Sequence, residues 1–485
     1  MRFLRYRWFF LILLVLALPA VWFLWGSNWL AEKRWQAYAA EVRARGDLWT
    51  LAEYRPTPVP TDEDGALLPI FAKPHVPPPI LSQVPRLARA KKTPDNRPRP
   101  IDWKKTRSQL NDVRLTDDPA ETDDLRAIEK ALIPLQPTID QLCASKAVAA
   151  NWGEETWTVP ADGSLPHFLT VMPCWRLFEF RAQLDLAKNR PADARRVVEA
   201  HLRLAKCFRR KPALISFLVT LSGMTLARDV VWQGLNTDAW DDETLRAFSR
   251  EFLDRNAIAD HQWTMKTERA WSRAYCEQSI GNPDKVMGMV RFSNPNLAKV
   301  NEWLLQMRAA RRSWWRDNQM WIERCHDELE ESLDGTTQTW RPITRQFDPE
   351  QLSPEDREGK LSLAAASTES LDDFYNRSVV LHAQDKMAAI ACALELHHRA
   401  KGNYPENLNA LLPEFLPHLP VDPVTGQAFR YRTVPDGSYL LYSLGFDRED
   451  HGGKISNNID RWVDDPDWIW FAPKRPSADA KPAAP

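Results

Sequence analysis

The sequence has no excess of charge of either sign. Its 64 lysines and arginines face 65 aspartates and glutamates, which gives a net charge of −1 at pH 7 and a pI near 6.8. Proteins that bind nucleic acid usually carry a basic surface to neutralise phosphates. The composition therefore gives no indication of DNA or RNA as a partner.

The common catalytic signatures are absent as well. The chain contains no G-x-S-x-G, no H-E-x-x-H, no Walker loop and no G-x-G-x-x-G. These motifs carry, respectively, a nucleophilic serine, a catalytic zinc, a nucleotide phosphate and a dinucleotide. The sequence thus excludes the recognisable forms of these enzyme classes.

Cysteine is sparse and its spacing is uninformative. No C-x-x-C pair occurs, which excludes a zinc ribbon or a thioredoxin-type motif by pattern. The six cysteines are Cys143, Cys174, Cys207, Cys276, Cys325 and Cys392. An oxidising compartment would permit disulfides, but isolated cysteines in helix-like segments favour the role of small buried hydrophobes.

What the sequence does contain begins with an apolar run at residues 8–26, preceded by Arg2, Arg5 and Arg7. The run is about long enough to cross a hydrocarbon core of roughly 30 Å. Arginines before the run predict that the N-terminus stays in the cytoplasm. We therefore expect a single-pass anchor in a bacterial inner membrane, with the body in the periplasm. The alternative is a signal peptide that is cleaved after the motif at residues 17–20. Leu18 is bulky at a position of that motif that favours a small residue.

A chain of 485 residues predicts two or three structural units. The expected class is mainly α: an irregular helical bundle or short helical-hairpin array, with a C-terminal α+β domain and an N-terminal transmembrane helix. The predicted divisions are an anchor at 1–28, a juxtamembrane helix and proline-rich extended segment at 29–120, a helical body at 121–333, a linker at 334–369, the α+β domain at 370–472 and a disordered tail at 473–485.

Within the helical body, the periodicity predicts that one helix stops at residues 189–191 and that the next begins there. The apolar stripe of that second helix consists of Ala194, Val197, Val198, His201, Ala205 and Phe208. Residues 214–221 are apolar nearly all round, which predicts a central, buried helix. Further helices are expected at 241–256, 258–276 and 297–333. No 34-residue repeat occurs, so a tetratricopeptide array is not supported.

The last fifth of the chain is the most specific part. A helix whose apolar face runs from Leu371 to Leu394 is predicted to end at Gly402, because glycine readily adopts the left-handed conformation that closes helices. Alternation at residues 429–433, a turn at 435–437 and a return at 439–443 predict a β-hairpin. A glycine-rich acidic stretch, residues 443–460, follows the hairpin.

This segment resembles the globular domain of the major pseudopilin of type II secretion, through Y-P-x-x-L-x-x-L at 404–411, the turn at 420–426 and the acidic stretch. The resemblance implies a long helix packed on a small antiparallel sheet with a calcium loop. Calcium prefers six to eight oxygen ligands, and the predicted site consists of Ser443, Asp447, Asp450 and Asp460. The alternative is an ordinary polar loop.

Several features depart from that family. The Trp-Gly pair that the family usually carries is missing, and His451 and Lys454 replace acidic or small residues in the loop. The anchor and the domain also lie hundreds of residues apart, so assembly into a pilin-like filament is not expected. The overall layout is similar to a group of uncharacterised membrane-anchored bacterial proteins.

An enzyme remains the competing class. Glu323 and His326, and likewise Glu395 and His398, form E-x-x-H pairs that could belong to a carboxylate di-metal oxidoreductase. Such a site needs two further glutamates, for which Glu179 and Glu268 are available. The alternative is two surface Glu-His pairs, with His201 a packing residue. The function expected from the sequence is instead a non-catalytic, membrane-anchored protein that binds or scaffolds another envelope component. Its oligomeric state is left open.

Overall fold

The computed structural model describes residues 22–72, 81, 83–90, 100–112, 121–158, 167–280, 282, 302–354, 356–368, 371–454 and 466–473. Most of the predicted membrane span and all but the first residue of the predicted tail lie outside these ranges. The described chain is mainly helical, with a small C-terminal sheet. This agrees with the predicted mainly α class.

The α-helices are α1 (Ser27–Ala44), α2 (Trp103–Asp112), α3 (Asp124–Leu132), α4 (Gln136–Ala144), α5 (Phe168–Ala187), α6 (Pro191–Phe208), α7 (Leu214–Asn236), α8 (Asp242–Asp254), α9 (Ala257–Ser279), α10 (Glu302–Ala309), α11 (Arg312–Glu331), α12 (Ser362–Thr368) and α13 (Leu371–Lys401). The strands are β1 (Leu333–Asp334), β2 (Thr339–Trp340), β3 (Arg430–Thr433), β4 (Tyr439–Ser443) and β5 (Trp468–Phe471). A π-helical turn, Trp22–Gly26, leads directly into α1.

The helical hairpin of α5 and α6 turns where the sequence predicts. Asn189 adopts a left-handed φ of 55°, and Pro191 occupies the first turn of α6, where its missing N–H leaves no bond unmade. All six residues of the predicted apolar stripe of α6 are buried. Helices α5, α6 and α7 pack on one another and form the centre of the body.

Helix α7 is apolar on almost every side. Among the described residues it alone has the length and hydropathy of a membrane span, and 56% of its most apolar window is buried inside the protein. The predicted apolar run at 214–221 forms the N-terminal part of this helix. Burial against α5, α6, α9 and α13 makes it a helix of the protein core.

Helix α13 packs against α7, α8, α9 and the C-terminal sheet. The residues predicted for its apolar face are buried, apart from the half-buried Phe374, and Gly402 ends it at a φ of 84°. One hydrophobic core runs from Ile70 to Ala472 and includes side chains of α3 to α9, α13 and the sheet. The C-terminal segment therefore shares its core with the helical body.

Residues 334–369, predicted as a linker, carry ordered elements. Strands β1 and β2 form a short antiparallel hairpin, and α12 packs on α11 through Leu363, which is buried with Trp314 and Trp315. The predicted helix at 297–333 is divided at Arg311, whose backbone is extended. Trp315 donates its indole N–H to the carbonyl of Ala309 at 2.7 Å, which caps the end of α10.

The sheet has the antiparallel order β3–β4–β5. The predicted hairpin is confirmed: Thr433 pairs with Tyr439, and Gly437 takes a φ of 80° in the turn. Strand β5 pairs with β4 on its other side and was not predicted. Of the proline-rich segment, the described residues Ile70 and Phe71 are buried in the hydrophobic core of the body.

Candidate functional site

A buried ion cluster joins α1, α9 and α11. Glu323 is 2% exposed. Both of its carboxylate oxygens accept hydrogen bonds from arginine side chains. Arg273 donates to Oε1 at 2.6 Å and to Oε2 at 2.7 Å, and Arg269 donates to Oε2 at 2.9 and 3.0 Å. Hydrogen bonds between two charged groups are about twice as strong as neutral ones, and the side chains of Glu323, Arg269 and Arg273 are all buried.

The spacing along two helices explains the cluster. Arg269 and Arg273 are four residues apart on α9, and Glu323, Asp327 and Glu330 are four and three apart on α11, so each set occupies one helix face. Arg269 donates to Asp327 at 2.8 Å and to Glu330 at 3.1 Å. The two faces therefore meet with opposite charges.

Tyr38 brings α1 into the same cluster. Its hydroxyl donates towards Asp327 at 3.0 Å and accepts from Arg269 at 2.8 Å. Burial raises the pKa of Tyr38 beyond any physiological value, and Glu323 adds to the shift. The phenol is therefore a fixed neutral link between α1 and the two helices α9 and α11.

The pKa of Glu323 shows which effect dominates. Burial alone would raise it, but Arg273 and Arg269, acting through charge and hydrogen bonds, lower it to about 2. A general base works best with a pKa near the operating pH. Because Glu323 is far more acidic than that and both its oxygens are occupied, its chemistry suits stabilisation rather than proton transfer.

Two buried histidines lie near this cluster on the same two helices. His326 lies on α11, and His261 on α9 stacks edge-on against Phe217 and Tyr375, with ring centroids 4.9 and 4.5 Å apart. Within the described residues, both nitrogens of His261, Nδ1 of His326 and the hydroxyl of Tyr375 have no hydrogen-bond partner. Burial lowers the pKa of each histidine to about 3. These rings are therefore neutral.

A second buried cluster holds α13 in place. Asp385 accepts from Arg228 of α7 at 2.9 Å and from Arg255 at 2.7 Å. The next residue, Lys386, donates to the carbonyls of Leu253 and Arg255 at the end of α8. A cation at the C-terminus of a helix complements its orphan carbonyls and its dipole. Burial lowers the pKa of Lys386 to about 8.

The predicted calcium residues take other partners in the described structure. The hydroxyl of Ser443 is buried and donates to Asp422 at 2.9 Å. Asp447 accepts the backbone N–H of Glu449 at 3.0 Å. Asp450 accepts the hydroxyl of Tyr442 at 2.8 Å and lies 3.3 Å from the guanidinium of Arg430.

Asp460, the fourth predicted ligand, lies outside the described residues. Two exposed carboxylates supply fewer oxygens than calcium requires, and the part of the chain that the structure describes contains no group of three or more His, Cys, Asp or Glu placed to hold a metal ion. The described residues therefore form an incomplete donor set, and calcium binding stays a prediction.

We expect metal analysis to decide this point. If residues 443–460 bind calcium, the purified full chain carries about one calcium per chain, and Asp447→Ala removes it, because a hard cation loses a carboxylate ligand. Glu449→Ala is the matched control, since Glu449 is an exposed carboxylate of the same loop. Absence of calcium from the wild-type chain, at millimolar calcium in the buffer, would show that the loop is an ordinary polar one.

The residues of the alternative di-metal site are likewise bound elsewhere. Glu395 accepts the hydroxyl of Tyr404 at 2.6 Å, Glu179 accepts from Arg89 at 2.6 Å, and Glu268 accepts the backbone N–H of Leu214 at 2.7 Å. Glu323 belongs to the arginine cluster. The ring of His398 packs on that of Tyr404, with the two ring centroids 4.6 Å apart. These groups do not meet in one site among the described residues.

Sequence reasoning missed the groups that matter most for the buried clusters, namely Arg269, Arg273, Arg228 and Asp385. A signal existed for the first pair, because two arginines four residues apart in a helix with buried neighbours suggest an acidic partner face. Of the cysteines, five are buried and Cys143 is half-buried, and all six are free thiols.

The search of protein families, of curated proteins and of solved structures gave no match to this chain.

Proposed function

We propose that this chain is a non-catalytic, membrane-anchored protein of the bacterial envelope. Residues 8–26 span the inner membrane with the N-terminus in the cytoplasm. The helical body and the pseudopilin-like C-terminal domain face the periplasm and bind another envelope component. The observation that carries the proposal is the fixed attachment of α1, the helix that follows the predicted anchor, to the rest of the protein.

Ion pairs connect α1 to α11 along its length. Arg34 lies 2.9 Å from Asp317, and Glu41 lies 3.0 Å from Arg324. Tyr38, between them, enters the buried cluster. Exposed pairs of this kind contribute only about 0–1 kcal/mol each, so they orient the helix more than they hold it.

Apolar packing contributes more than these ion pairs to the attachment of α1. Trp35, Tyr38 and Val42 are buried on the inner face of α1 and pack with Trp49 and Met320. Full burial of one such apolar side chain contributes about 1.5–3 kcal/mol. Three of them make α1 an integral part of the body.

The N-terminal end of α1, with the π-helical turn that precedes it, suits a membrane surface. Trp22, Trp25 and Trp29 are exposed by 59, 77 and 59%, although tryptophan is usually well buried. Lys33 lies over the ring of Trp29 at 4.3 Å. Tryptophans gather at membrane–water interfaces, where the ring is half in the apolar layer. This supports placing the bilayer beside this end.

A fixed junction favours binding over simple tethering. A helix that continues from the membrane into a packed core holds the body at one orientation to the bilayer, as a protein that presents one face to a partner requires. Within the cluster of α1, α9 and α11, Glu323 and the neutral histidines have pKa values far from neutrality, which supports a structural role for that cluster.

The proposal predicts co-purification of a partner. After in-cell crosslinking, the tagged full chain extracted in detergent is expected to enrich at least one envelope protein. The control joins residues 1–28 to an unrelated periplasmic domain. The variant Trp35→Ala/Tyr38→Ala, which detaches α1 from α11, is expected to reduce the enrichment because the body loses its fixed orientation.

Two outcomes separate the parts of this proposal. Equal recovery of every envelope protein with the full chain and with the control anchor would rule out a partner. Recovery of the same partner with wild-type chain and detached variant would show that orientation is irrelevant and that residues 1–28 serve only as a tether.

A further inference from the structure

Exposed apolar side chains are concentrated at one end of the molecule. Eleven large hydrophobic side chains are exposed among the described residues, and four of them lie within residues 22–30: Trp22, Trp25, Trp29 and Leu30. No other stretch of ten described residues contains more than one. Single exposed hydrophobics are normal on a protein surface, whereas a group of them marks an interaction site.

These four side chains share one face of a continuous helix. They follow one another at intervals of three, four and one residues along the π-helical turn and the start of α1, and residues at such intervals lie on the same side of a helix. The side that packs on the body carries the buried Trp35 and Tyr38 instead. The exposed group is therefore not part of the contact between α1 and α11.

Helix α10 ends at the level of the first turn of α1. The side chain of Arg311 donates to the hydroxyl of Ser27 at 2.7 Å, and the backbone N–H of Ser313 donates to Asn28 at 2.8 Å. These contacts place the start of α11 beside residues 27 and 28. Because α10 ends at Ala309, only two residues before Arg311, its last turn lies at the same level.

Met307 extends the apolar surface onto α10. Its side chain is 53% exposed, and two residues of a helix correspond to a rise of only about 3 Å from Ala309. The next residue, Arg308, lines a cavity of about 450 Å³ together with Trp22 and Leu30. Met307 therefore lies beside the same cavity as the exposed end of α1, on a second helix.

We propose that Trp22, Trp25, Trp29, Leu30 and Met307 form one membrane-contact face, which rests on the periplasmic surface of the bilayer. The apolar run at residues 8–26 ends within this face, so the proposed span leaves the bilayer at the level of these side chains. Tryptophan is enriched at that boundary. The choice of the bilayer as the partner rests on the proposed membrane anchor.

Contact through two helices fixes the body more firmly than one helix does. A body attached only through α1 can rotate with α1 about the helix axis. A second contact through Met307 on α10 removes that freedom. Apolar side chains at a membrane surface lie about 5–10 Å into the boundary between headgroups and acyl chains, where their removal from water is favourable.

The test measures the contact of position 307 with lipid. The full chain with Cys143→Ser, whose five other cysteines are buried, receives Met307→Cys and an environment-sensitive fluorescent label. It is reconstituted in phosphatidylcholine vesicles that contain a lipid with a nitroxide near the headgroup end of its acyl chain. Quenching at position 307 is expected to be several-fold stronger than at the control Ile133→Cys, because Ile133 is 63% exposed but lies outside the membrane-contact face.

A second pair of variants tests whether the two helices act together. Adding Leu30→Glu to the labelled Met307→Cys chain is expected to reduce the quenching several-fold, because a carboxylate disfavours the apolar layer beside Met307. Leu67→Glu is the matched control, since Leu67 is equally an exposed leucine, and it is expected to leave the quenching unchanged. Equal effects of the two substitutions would show that residues 22–30 and Met307 do not form one face.

Extraction of membranes with alkaline carbonate scores the anchor independently. A chain that resists extraction but shows equal quenching at positions 307 and 133 would overturn the membrane-contact face and keep the anchor. A chain that is extracted, yet is quenched selectively at position 307 when vesicles are present, would remove the anchor and keep the face. Extraction with equal quenching at both positions would overturn both.

Discussion

Replacing Glu323 with alanine is expected to lower the free energy of unfolding by about 3–5 kcal/mol, because breaking a buried ion pair on one side leaves the other charges uncompensated. Here two guanidinium groups, Arg269 and Arg273, lose their shared acceptor at 4 and 6% exposure. Their remaining acceptors cannot replace two carboxylate oxygens at 2.6 to 3.0 Å. Urea unfolding of the detergent-solubilised chain, followed by tryptophan fluorescence at pH 7, measures the loss.

Two variants control this experiment. Glu414→Ala removes a glutamate whose side chain is 56% exposed and lies 3.6 Å from Lys401, and we expect a change of about 0–1 kcal/mol. Glu323→Gln keeps the shape and one hydrogen-bond acceptor but loses the charge, so its effect should fall between the two. If Glu323→Ala and Glu414→Ala have equal effects, the cluster does not stabilise the fold.

The same carboxylate gives a signature at low pH. Since the folded pKa of Glu323 is about 2 and its ordinary value is 4.5, the unfolded state binds its proton first on acidification. The stabilisation is complete above pH 4.5 and is lost as the pH falls towards 2. The shift corresponds to about 3 kcal/mol.

Local patterns predicted the parts of this fold that local forces determine. The boundary of α5 and α6 at Pro191 depends on proline's missing donor, the end of α13 on the left-handed φ of Gly402, and the hairpin of β3 and β4 on its alternation and the turn at Gly437. Each of these features involves residues close together in sequence. The mainly α class followed from the same signals.

Helix α13 shows a feature that local sequence patterns do not predict, the burial of charged residues. Its periodicity predicted one apolar face, whereas the structure also buries Asp385 and Lys386. The side chains that neutralise Asp385, those of Arg228 and Arg255, lie 157 and 130 residues away. Nothing in the sequence near α13 indicates that these charges are neutralised, so burial on every side could not be predicted.

The candidate sites show the same division. The resemblance places Ser443 in a calcium site, but its hydroxyl donates to Asp422, a residue that the sequence pattern places only in a turn. The E-x-x-H spacing identifies Glu323 through His326, although the groups that determine the charge of Glu323, Arg269 and Arg273, lie on another helix. Spacing within a helix identifies a face, whereas the facing helix decides its chemistry.

The buried histidines predict the second large effect, a loss of stability on mild acidification. Burial lowers the pKa of His201, His261 and His326 to about 3, against an ordinary value of 6.5. The unfolded state therefore takes up protons below pH 6.5 that the folded state does not, so stability falls as the pH falls. Between pH 7.5 and 5.5 the three rings together account for about 4 kcal/mol.

Another group opposes this trend. Burial raises the pKa of Glu179 to about 7 from its ordinary 4.5, against the effect of Arg89. The folded state then holds a proton that the unfolded state releases, so the contribution of Glu179 to stability is complete below pH 4.5 and is lost as the pH rises from 4.5 to about 7. A single-histidine variant is needed to isolate the histidine contribution.

His201→Phe provides that variant. The ring of His201 stacks on Trp175 at 4.9 Å and on Phe178 at 5.2 Å, so a phenyl ring preserves the packing and removes the titration. We expect the variant to lose about 1.4 kcal/mol less than the wild type between pH 7.5 and 5.5, measured by urea unfolding at each pH. The control is His418→Gln, because His418 is exposed. Parallel curves for His201→Phe and the wild type would mean that His201 is protonated in the folded state, and its site between two aromatic rings would then have to admit charge.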